Sequence, residues 1–180
     1  MVGYLPMLLK LAYYGHPILR QKATQVSSMT QEIKQLISDM IETLLHLKNG
    51  IGIAAPQLHH SLAIFVVQFP KKDNKGDPEP GAHEVFINPK ILEVSATKDF
   101  HSEGCLSIPG IYKEVERPIK IKVQAKGLDG ITFVREYEGY EARMILHEND
   151  HLNGILFIDR LKPKERKAID SGLKAIKKKY

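Results

Sequence analysis

The sequence predicts an α+β fold in which antiparallel β-strands pack around a central helix with the pattern HExxH, with further helices at the N-terminal and C-terminal ends. Three observations predict it. Apolar residues recur three and four apart from Ile33 to Leu45, as on one face of a helix. Residues 119–125 and 131–137 are rich in β-branched and aromatic residues, as in strands. A second helical stretch, 141–153, follows these strands, and the order helix, strands, helix is typical of α+β proteins.

The first helix has a predicted beginning and end as well as an apolar face. Ser28 followed three residues later by Gln31 fits a capping box at its start. Asn49-Gly50 fits a left-handed stop at its end.

Two strands are predicted next, on either side of a polar segment. The runs Ala63–Val67 and Val85–Ile87 have strand composition, and they could pair with each other. The segment Lys71–Gly81, KKDNKGDPEPG, has the Lys, Asp, Gly and Pro content of an exposed loop. Asn88-Pro89 is predicted to end the second strand.

The second half of the chain begins with a predicted hairpin. Strands 119–125 and 131–137 are joined through Lys126–Gly130, a hairpin signal. The helix 141–153 then has Gly154 as its natural stop. A third helix is predicted to follow Pro163 into a basic tail.

Length and composition predict a single domain spanning 1–180, with 161–180 as a basic C-terminal helix or tail. Hydrophobic residues make up 43% and charged residues 26%, which excludes disordered and fibrous classes. No apolar run approaches the ~20 residues of a membrane helix, and the first residues lack a signal cleavage site. A single cysteine fits a reducing compartment. We therefore expect a bacterial, cytoplasmic protein.

Positive charge is concentrated at the C-terminal end. Residues 161–180 contain eight basic and two acidic side chains, whereas the rest of the chain is nearly neutral. Such a tail could contact ribosomal RNA, or it could be a solvated helix end whose cations complement the helix dipole. We expect neither a membrane nor DNA as a partner.

The strongest chemical signal is the pentamer His147-Glu148-Asn149-Asp150-His151. Spacing of four places both imidazoles on one helix face, where they can bind one metal ion. Glu148 is offset by one residue and can reach a water molecule beside the metal.

A catalytic site of this kind usually has a third protein ligand. The metzincin protease pattern would require a third histidine where Phe157 stands, so a metzincin-type set of three histidine ligands is excluded. Asp159, Glu165 or Cys105 could complete the set. A carboxylate ligand would make the protein a zinc endopeptidase.

Two further segments contain small residues that permit close backbone approach. They are GIGIAAPQ, residues 50–57, and EGCLS, residues 103–107. Together with HENDH, in this order and at these separations, they closely resemble the three motifs of the peptide deformylases. YGHPIL, residues 14–19, and HLNGILFIDR, residues 151–160, extend the resemblance over most of the chain. Leu146 stands where the family commonly has Gln, and Ile53 where Leu is usual.

The resemblance implies a function and assigns residues to it. Peptide deformylases hydrolyse the N-formyl group from the N-terminal formyl-methionine of new polypeptides and release formate. The implied metal ligands are Cys105, His147 and His151, and the implied general base is Glu148. The implied oxyanion donors are the Gln57 side-chain amide and the backbone N–H of Leu106.

The implied methionine pocket is apolar, with Ile51, Gly52 and Met144 as candidate lining residues and Tyr140 and Arg143 near its entrance. A thiolate with two imidazoles suits Fe²⁺, Zn²⁺, Ni²⁺ or Co²⁺. The family usually uses Fe²⁺, which we expect here with the others as substitutes. The implied partners are formyl-methionyl nascent peptides, with ribosome contact through the tail. A scaffold without catalytic activity that docks on ribosomal RNA through the same tail is the remaining alternative.

Overall fold

A computed structural model describes residues 7–47, 50–72, 75 and 78–180 of the chain. It combines helices with antiparallel sheets, as predicted. The helices are α1 Gln31–His46, α2 Gly139–Leu152, α3 Pro163–Ala168 and α4 Asp170–Lys179. The strands are β1 Gly52–Ala54, β2 Ile64–Lys72, β3 Pro78–Val94, β4 Lys98–Cys105, β5 Ile108–Pro118, β6 Lys120–Lys126 and β7 Thr132–Glu138.

The strands form two sheets within the described part of the chain. One has five strands in the order β1-β2-β3-β6-β7, and the other is the β4-β5 hairpin. Every pairing between these strands is antiparallel. Short 3-10 helices cover Pro17–Arg20, Ala55–Leu58 and Phe157–Arg160.

Helix α1 is confirmed, but its predicted ends are wrong. The cap is Thr30, whose side-chain oxygen accepts a hydrogen bond from the Ile33 backbone N–H at 3.4 Å. This oxygen satisfies an N–H that has no partner within the first turn, so the helix begins later than a box starting at Ser28 would require. The helix ends at His46, before the predicted stop, and Asn49 lies outside the described residues.

Strands β2 and β3 pair with each other, and their pairing extends into the segment predicted as a loop. Pro70 faces Pro80 and Lys71 faces Glu79 across the ladder. The Lys71 and Glu79 side chains also form an exposed ion pair of 2.9 Å. The polar composition of Lys71–Gly81 therefore reflects exposed strand ends as well as a turn.

The predicted strand end at Asn88-Pro89 is also wrong, because β3 continues to Val94. Asn88 has a φ of 51°, and the register with β6 shifts between Ile87 and Lys90. The Asn88 side chain accepts from the Val26 N–H at 2.8 Å and donates to the Val26 carbonyl at 2.7 Å. Proline is tolerated at such a bulge, so this pair bends the strand without ending it.

The hairpin of β6 and β7 and the helix that follows it are confirmed. Gly130 has a φ of 78° in the turn, and the Gly127 N–H donates to the Ile131 carbonyl at 3.0 Å. Helix α2 stops at Gly154, which has a φ of 69°. A Cβ at Gly154 would lie 2.7 Å from the Arg20 backbone, so only glycine fits there.

Helix α2 contacts strands of both sheets, namely β1, β2, β5, β6 and β7. Its Ala142, Met144, Ile145 and Leu152 join an apolar cluster with Phe65 and Phe86 of the large sheet and with other buried residues. Burial of such side chains is the main stabilising contribution to a fold of this kind.

The basic tail forms two helices, α3 and α4, instead of the single predicted one. The break falls at Ile169. Leu173 and Ile176 of α4 are buried against Leu19 and Phe157, so the tail packs on the body of the protein. Among the described residues, no helix is both long and apolar enough to cross a membrane.

Candidate active site and metal centre

Three potential metal ligands converge from two elements. Cys105 ends β4, while His147 and His151 lie one turn apart on α2. Their ligand atoms all lie within 4.8 Å of one another, and no other described group of three or more His, Cys, Asp or Glu residues meets this condition. The Cys105 Sγ atom is 3.3 Å from His151 Nε2. The structure thus brings together the two helix histidines and the cysteine of the separate motif.

His147 is oriented by a buried carboxylate. Its Nδ1 atom lies 2.9 Å from Glu103 Oε2, which leaves Nε2 for a metal ion. Burial alone would lower the pKa of His147, but interactions with Cys105 and Glu103 raise it well above its ordinary value. The surroundings of this imidazole therefore favour positive charge.

His151 has a different environment. It is 1% exposed, and its Nδ1 atom is buried without a hydrogen-bond partner in the described part of the chain. Burial, assisted by the charge of His147, holds the pKa of His151 well below its ordinary value. A neutral imidazole is the form that binds a metal ion.

These residues fit a divalent transition metal. One sulfur and two imidazole nitrogens form a donor set that suits such ions, and carboxylate–histidine support is common in protein metal sites. The Cys105 sulfur and the Glu103 carboxylate beside His147 raise the pKa of this imidazole, and both groups also favour a cation nearby.

Glu148 is a buried carboxyl group beside these ligands. It is 5% exposed, and its Oε2 atom has no hydrogen-bond partner among the residues that the structure describes. Burial raises the pKa of Glu148 to about 7, although the charge of His147 opposes the shift. A Cβ at Gly52 would lie 2.5 Å from Glu148 Oε1. The lack of a side chain at this position of β1 therefore makes room for the carboxyl group of Glu148.

Gln57 points its amide group toward the cysteine. Its Oε1 atom accepts from the Ala54 N–H at 2.9 Å, which fixes the orientation of the amide. Its Nε2 atom donates to Ser107 Oγ at 3.2 Å and approaches Cys105 Sγ at 3.5 Å. Leu106 lies between Cys105 and Ser107 in the turn that joins β4 to β5.

A cavity of about 380 Å³ opens beside this group. Ile51, Gly52 and Met144 line it, together with Leu106 and Tyr140. Ile51 and Tyr140 are exposed, whereas Met144 is buried, so the cavity has an open rim and an apolar inner wall.

Arg143 also contributes to the cavity wall, but it does not act at the entrance as the sequence suggested. It is 3% exposed. Its Nη1 atom donates to Glu103 Oε1 and to the Val115 carbonyl, both at 2.8 Å, and its Nη2 atom donates to Asp99 Oδ1 at 2.5 Å. A guanidinium held by these three acceptors and by the Asp99 carbonyl is not available at the rim.

Sequence reasoning missed the buried ion network to which Arg143 belongs. Arg117 of β5 is 2% exposed and donates to both Glu103 oxygens at 2.9 Å. It also donates to Asp150 Oδ2 at 2.6 Å, and Arg160 binds the same carboxylate from outside. Arg117 therefore ties the hairpin that carries Cys105 to the helix that carries both histidines.

The two substitutions relative to the family pattern lie in apolar surroundings. Leu146 packs against the apolar cluster around α2, and Ile53 is fully buried on the other side of β1.

The carboxylates of the endopeptidase alternative are engaged elsewhere. Asp159 pairs with Arg20 and accepts from the Leu156 N–H at 2.8 Å. Glu165 accepts from the Lys162 N–H at the start of α3. Neither belongs to the ligand cluster.

Comparisons with known proteins agree with this geometry. The model of the polypeptide deformylase family matches residues 8–167. A peptide deformylase from Psychrobacter arcticus is 42% identical over 171 residues, which cover 94% of this chain and 89% of that protein. One from Thermotoga neapolitana is 41% identical over 157 residues, covering 87% and 89%.

Solved structures give the same result. A peptide deformylase from Arabidopsis thaliana has a TM-score of 0.85 and 35% identity, covering 96% of this chain and 92% of that one. An Acinetobacter baumannii peptide deformylase with Met-Ala-Ser bound has a TM-score of 0.79 and 36% identity, covering 87% and 100%. The chain therefore belongs to the polypeptide deformylase family, whose enzymes hydrolyse N-formyl groups.

Proposed function

We propose that this chain removes the formyl group from the N-terminal formyl-methionine of newly synthesised polypeptides, with residues 1–180 acting as one catalytic unit in the bacterial cytoplasm. The observation that carries the proposal is the convergence of Cys105, His147 and His151 next to the buried carboxyl group of Glu148. Helix α2 is the proposed centre of the arrangement, since it supplies three of these four residues and contacts both sheets.

Cys105, His147 and His151 are the proposed metal ligands. Fe²⁺ is the proposed physiological ion, and Zn²⁺, Ni²⁺ and Co²⁺ are proposed substitutes, because all four suit a thiolate with two imidazoles. Such an ion supplies Lewis acidity, which lowers the pKa of water and polarises a carbonyl oxygen.

Glu148 is the proposed general base. Its Oε2 atom, which has no partner among the described residues, can accept the proton of the attacking water, and a carboxyl group with a pKa near neutrality can later return that proton. The acceptor of the returned proton is the α-amine that leaves when the formyl C–N bond breaks. The products are formate and a free N-terminal methionine.

Gln57 and Leu106 are the proposed oxyanion donors. The tetrahedral intermediate places negative charge on the former carbonyl oxygen, and preorganised N–H groups stabilise it. The Gln57 amide is preorganised by its bond to Ala54, so its N–H groups face the cysteine side of the site.

Ile51, Gly52 and Met144 are the proposed lining of the methionine pocket. The buried Met144 side chain gives this part of the cavity an apolar wall, and Tyr140 stands at the exposed rim. The Met-Ala-Ser peptide bound to the Acinetobacter baumannii deformylase supports a substrate that begins with methionine.

Formate release from a formyl-methionyl tripeptide tests the proposal. The protein is purified without oxygen, because ferrous iron beside a thiolate is prone to oxidation. Matched Fe²⁺-loaded and Zn²⁺-loaded samples are compared with Glu148→Ala loaded in the same way. We expect release by the wild type and its loss in Glu148→Ala at unchanged metal content. Folded, loaded wild-type protein that releases no formate would contradict the assignment.

A contact between the C-terminal tail and the ribosome is a second proposal. The exposed lysines of α4 support it, since a concentrated positive charge attracts RNA phosphates. Replacing Lys174, Lys178 and Lys179 with alanine should weaken salt-sensitive cosedimentation with ribosomes and leave hydrolysis of the free tripeptide unchanged. Cosedimentation equal to that of the wild type would argue against docking through this helix.

A further inference from the structure

The N-terminal strap, residues 7–14, crosses the molecule without pairing as a strand. Its first half is fixed to α1. The Met7 N–H donates to Asp39 Oδ1 at 2.8 Å, and the Leu9 N–H donates to Thr43 Oγ1 at 2.9 Å. Both acceptor residues are buried, so these bonds are partly shielded from competing water.

The second half of the strap binds the two loops that carry the proposed oxyanion donors. The Ala12 N–H donates to the Gln57 carbonyl at 2.7 Å, and the Tyr14 N–H donates to the Ser107 carbonyl at 2.8 Å. Gln57 supplies one donor from its side chain, and Ser107 directly follows Leu106, which supplies the other. Two N–H groups two residues apart are separated by at most about 7 Å. The strap thus limits the distance between the loops.

The outer side of the strap is covered as well. Tyr13 stacks on Tyr180, with ring centroids 3.7 Å apart and an interplanar angle of 16°. The Tyr14 hydroxyl accepts from Arg166 Nη2 at 3.2 Å, and Ala12 is 1% exposed. The strap is therefore held between the two loops and the C-terminal helices.

We propose that this strap is a positioning element for deformylation: its Ala12 and Tyr14 N–H groups hold the Gln57 side chain and the Leu106 backbone N–H at the separation that the oxyanion requires. The inference rests on the proposed function, because it concerns the donors assigned there. The contacts that carry the inference are the two backbone hydrogen bonds to the Gln57 and Ser107 carbonyls. Among the described residues, none that lines the cavity belongs to the strap.

Position 14 allows the Tyr14 N–H to be removed without changing the chain path. The Tyr13 carbonyl accepts from the His16 N–H at 3.0 Å, and Gly15 has a φ of 106°. These are features of a type II turn, whose second position is occupied by Tyr14 and favours proline. Tyr14→Pro therefore deletes the N–H in a compatible backbone. Tyr14→Ala removes the same side chain and keeps the N–H, so it is the matched control.

The first readout is steady-state kinetics on the formyl-methionyl tripeptide, with metal content measured in each sample. We expect Tyr14→Pro to have a kcat about 10- to 10²-fold below that of Tyr14→Ala, the cost of misplacing groups in the site by roughly an ångström. KM and metal content should equal those of Tyr14→Ala. Equal kcat values, or a loss that follows metal content, would overturn the proposal.

The second readout does not depend on turnover. In ¹⁵N-labelled, Zn²⁺-loaded protein, Tyr14→Pro should shift the NMR signals of the Leu106 backbone N–H and the Gln57 side-chain amide relative to Tyr14→Ala. Unshifted signals would overturn the proposal even in an inactive protein, whereas shifted signals together with no formate release by the wild type would indicate that the proposed function is wrong. If Tyr14→Pro does not fold, an ester linkage between residues 13 and 14 removes the N–H and keeps the tyrosine side chain.

Discussion

Glu103→Gln tests the link between the buried ion network and the metal centre. The Glu103 side chain is 5% exposed and accepts four hydrogen bonds. They come from Arg117 Nε and Nη2 at 2.9 Å, Arg143 Nη1 at 2.8 Å and His147 Nδ1 at 2.9 Å. Although burial alone would raise the pKa of Glu103, Arg117 and His147 hold it well below its usual range. Glutamine keeps the shape of the side chain and removes its charge.

The magnitude follows from the geometry of the four bonds. Each Glu103 oxygen accepts two of them, so either orientation of the glutamine amide turns an NH₂ group toward two donors. Two buried donors lose their acceptor, and each loss lowers the free energy of unfolding by about 1–3 kcal/mol. This agrees with the roughly 3–5 kcal/mol typical of breaking a buried ion pair from one side. We expect the free energy of unfolding of the metal-free protein to fall by about 3–5 kcal/mol.

The same substitution should weaken metal binding, because His147 loses the carboxylate that orients its ring. Losses of this kind typically reduce metal affinity about 10- to 100-fold. Urea unfolding of metal-free protein measures the first effect, and Zn²⁺ competition with a chromophoric chelator measures the second.

Glu93→Gln is the matched control for Glu103→Gln. The Glu93 side chain is 68% exposed and pairs with Lys122 at 3.2 Å, so its loss should cost less than about 1 kcal/mol and leave zinc affinity unchanged. If Glu103→Gln behaved like this control in both assays, the coupling of the network to the metal centre would be refuted.

Three further substitutions probe the proposed catalytic groups. Gln57→Leu should lower kcat by ~10²- to 10³-fold at unchanged metal content, since one oxyanion donor is lost; kinetics with metal analysis checks this. Gly52→Ala should displace the Glu148 carboxyl group, because the new Cβ would lie 2.5 Å from its Oε1 atom. Its kcat should fall by up to the ~10²- to 10⁴-fold that a general base contributes, and a normal kcat would refute the steric argument. Cys105→Ser should lower the metal content of the purified protein itself, and full occupancy would remove Cys105 from the ligand set.

Local patterns predicted the elements whose signals lie within a few residues. The apolar spacing of α1, the strands of the β6-β7 hairpin and the glycine stop at Gly154 are all found in the structure. The histidine spacing of the HENDH pentamer likewise placed both imidazoles on one helix face. In each case, neighbouring residues determine the geometry, so the sequence contains the necessary information.

The β4-β5 hairpin was not predicted, although it carries Cys105. In β5, the segment Lys113–Arg117 has four charged residues around a single valine, and Pro109 and Gly110 precede it. This composition is unlike a buried strand. Buried ion pairs, Arg117 with Asp150 and Arg143 with Glu103, join this hairpin to α2.

Arg117 illustrates why the network could not be read from the sequence. Its partners are separated from it by 14 residues at Glu103 and 33 at Asp150. An arginine at the end of the mostly charged run Lys113–Arg117 has the pattern of a solvated side chain. Only the tertiary pairing of β5 with β4 and α2 shows that it is buried. The contact between the two loops that carry the proposed oxyanion donors could not be read from the sequence either, since Gln57 meets Ser107 across a separation of 50 residues.

Charge balance in the network explains why it can lie so close to a metal centre. Three carboxylates, Asp99, Glu103 and Asp150, are paired with three guanidinium groups, those of Arg117, Arg143 and Arg160. The network is therefore neutral as a whole. A buried pair contributes little net stability on its own, so its value here lies in the orientation that it imposes. Because Glu103 faces two arginines and His147 at once, this one carboxylate transmits that orientation to the proposed metal ligand.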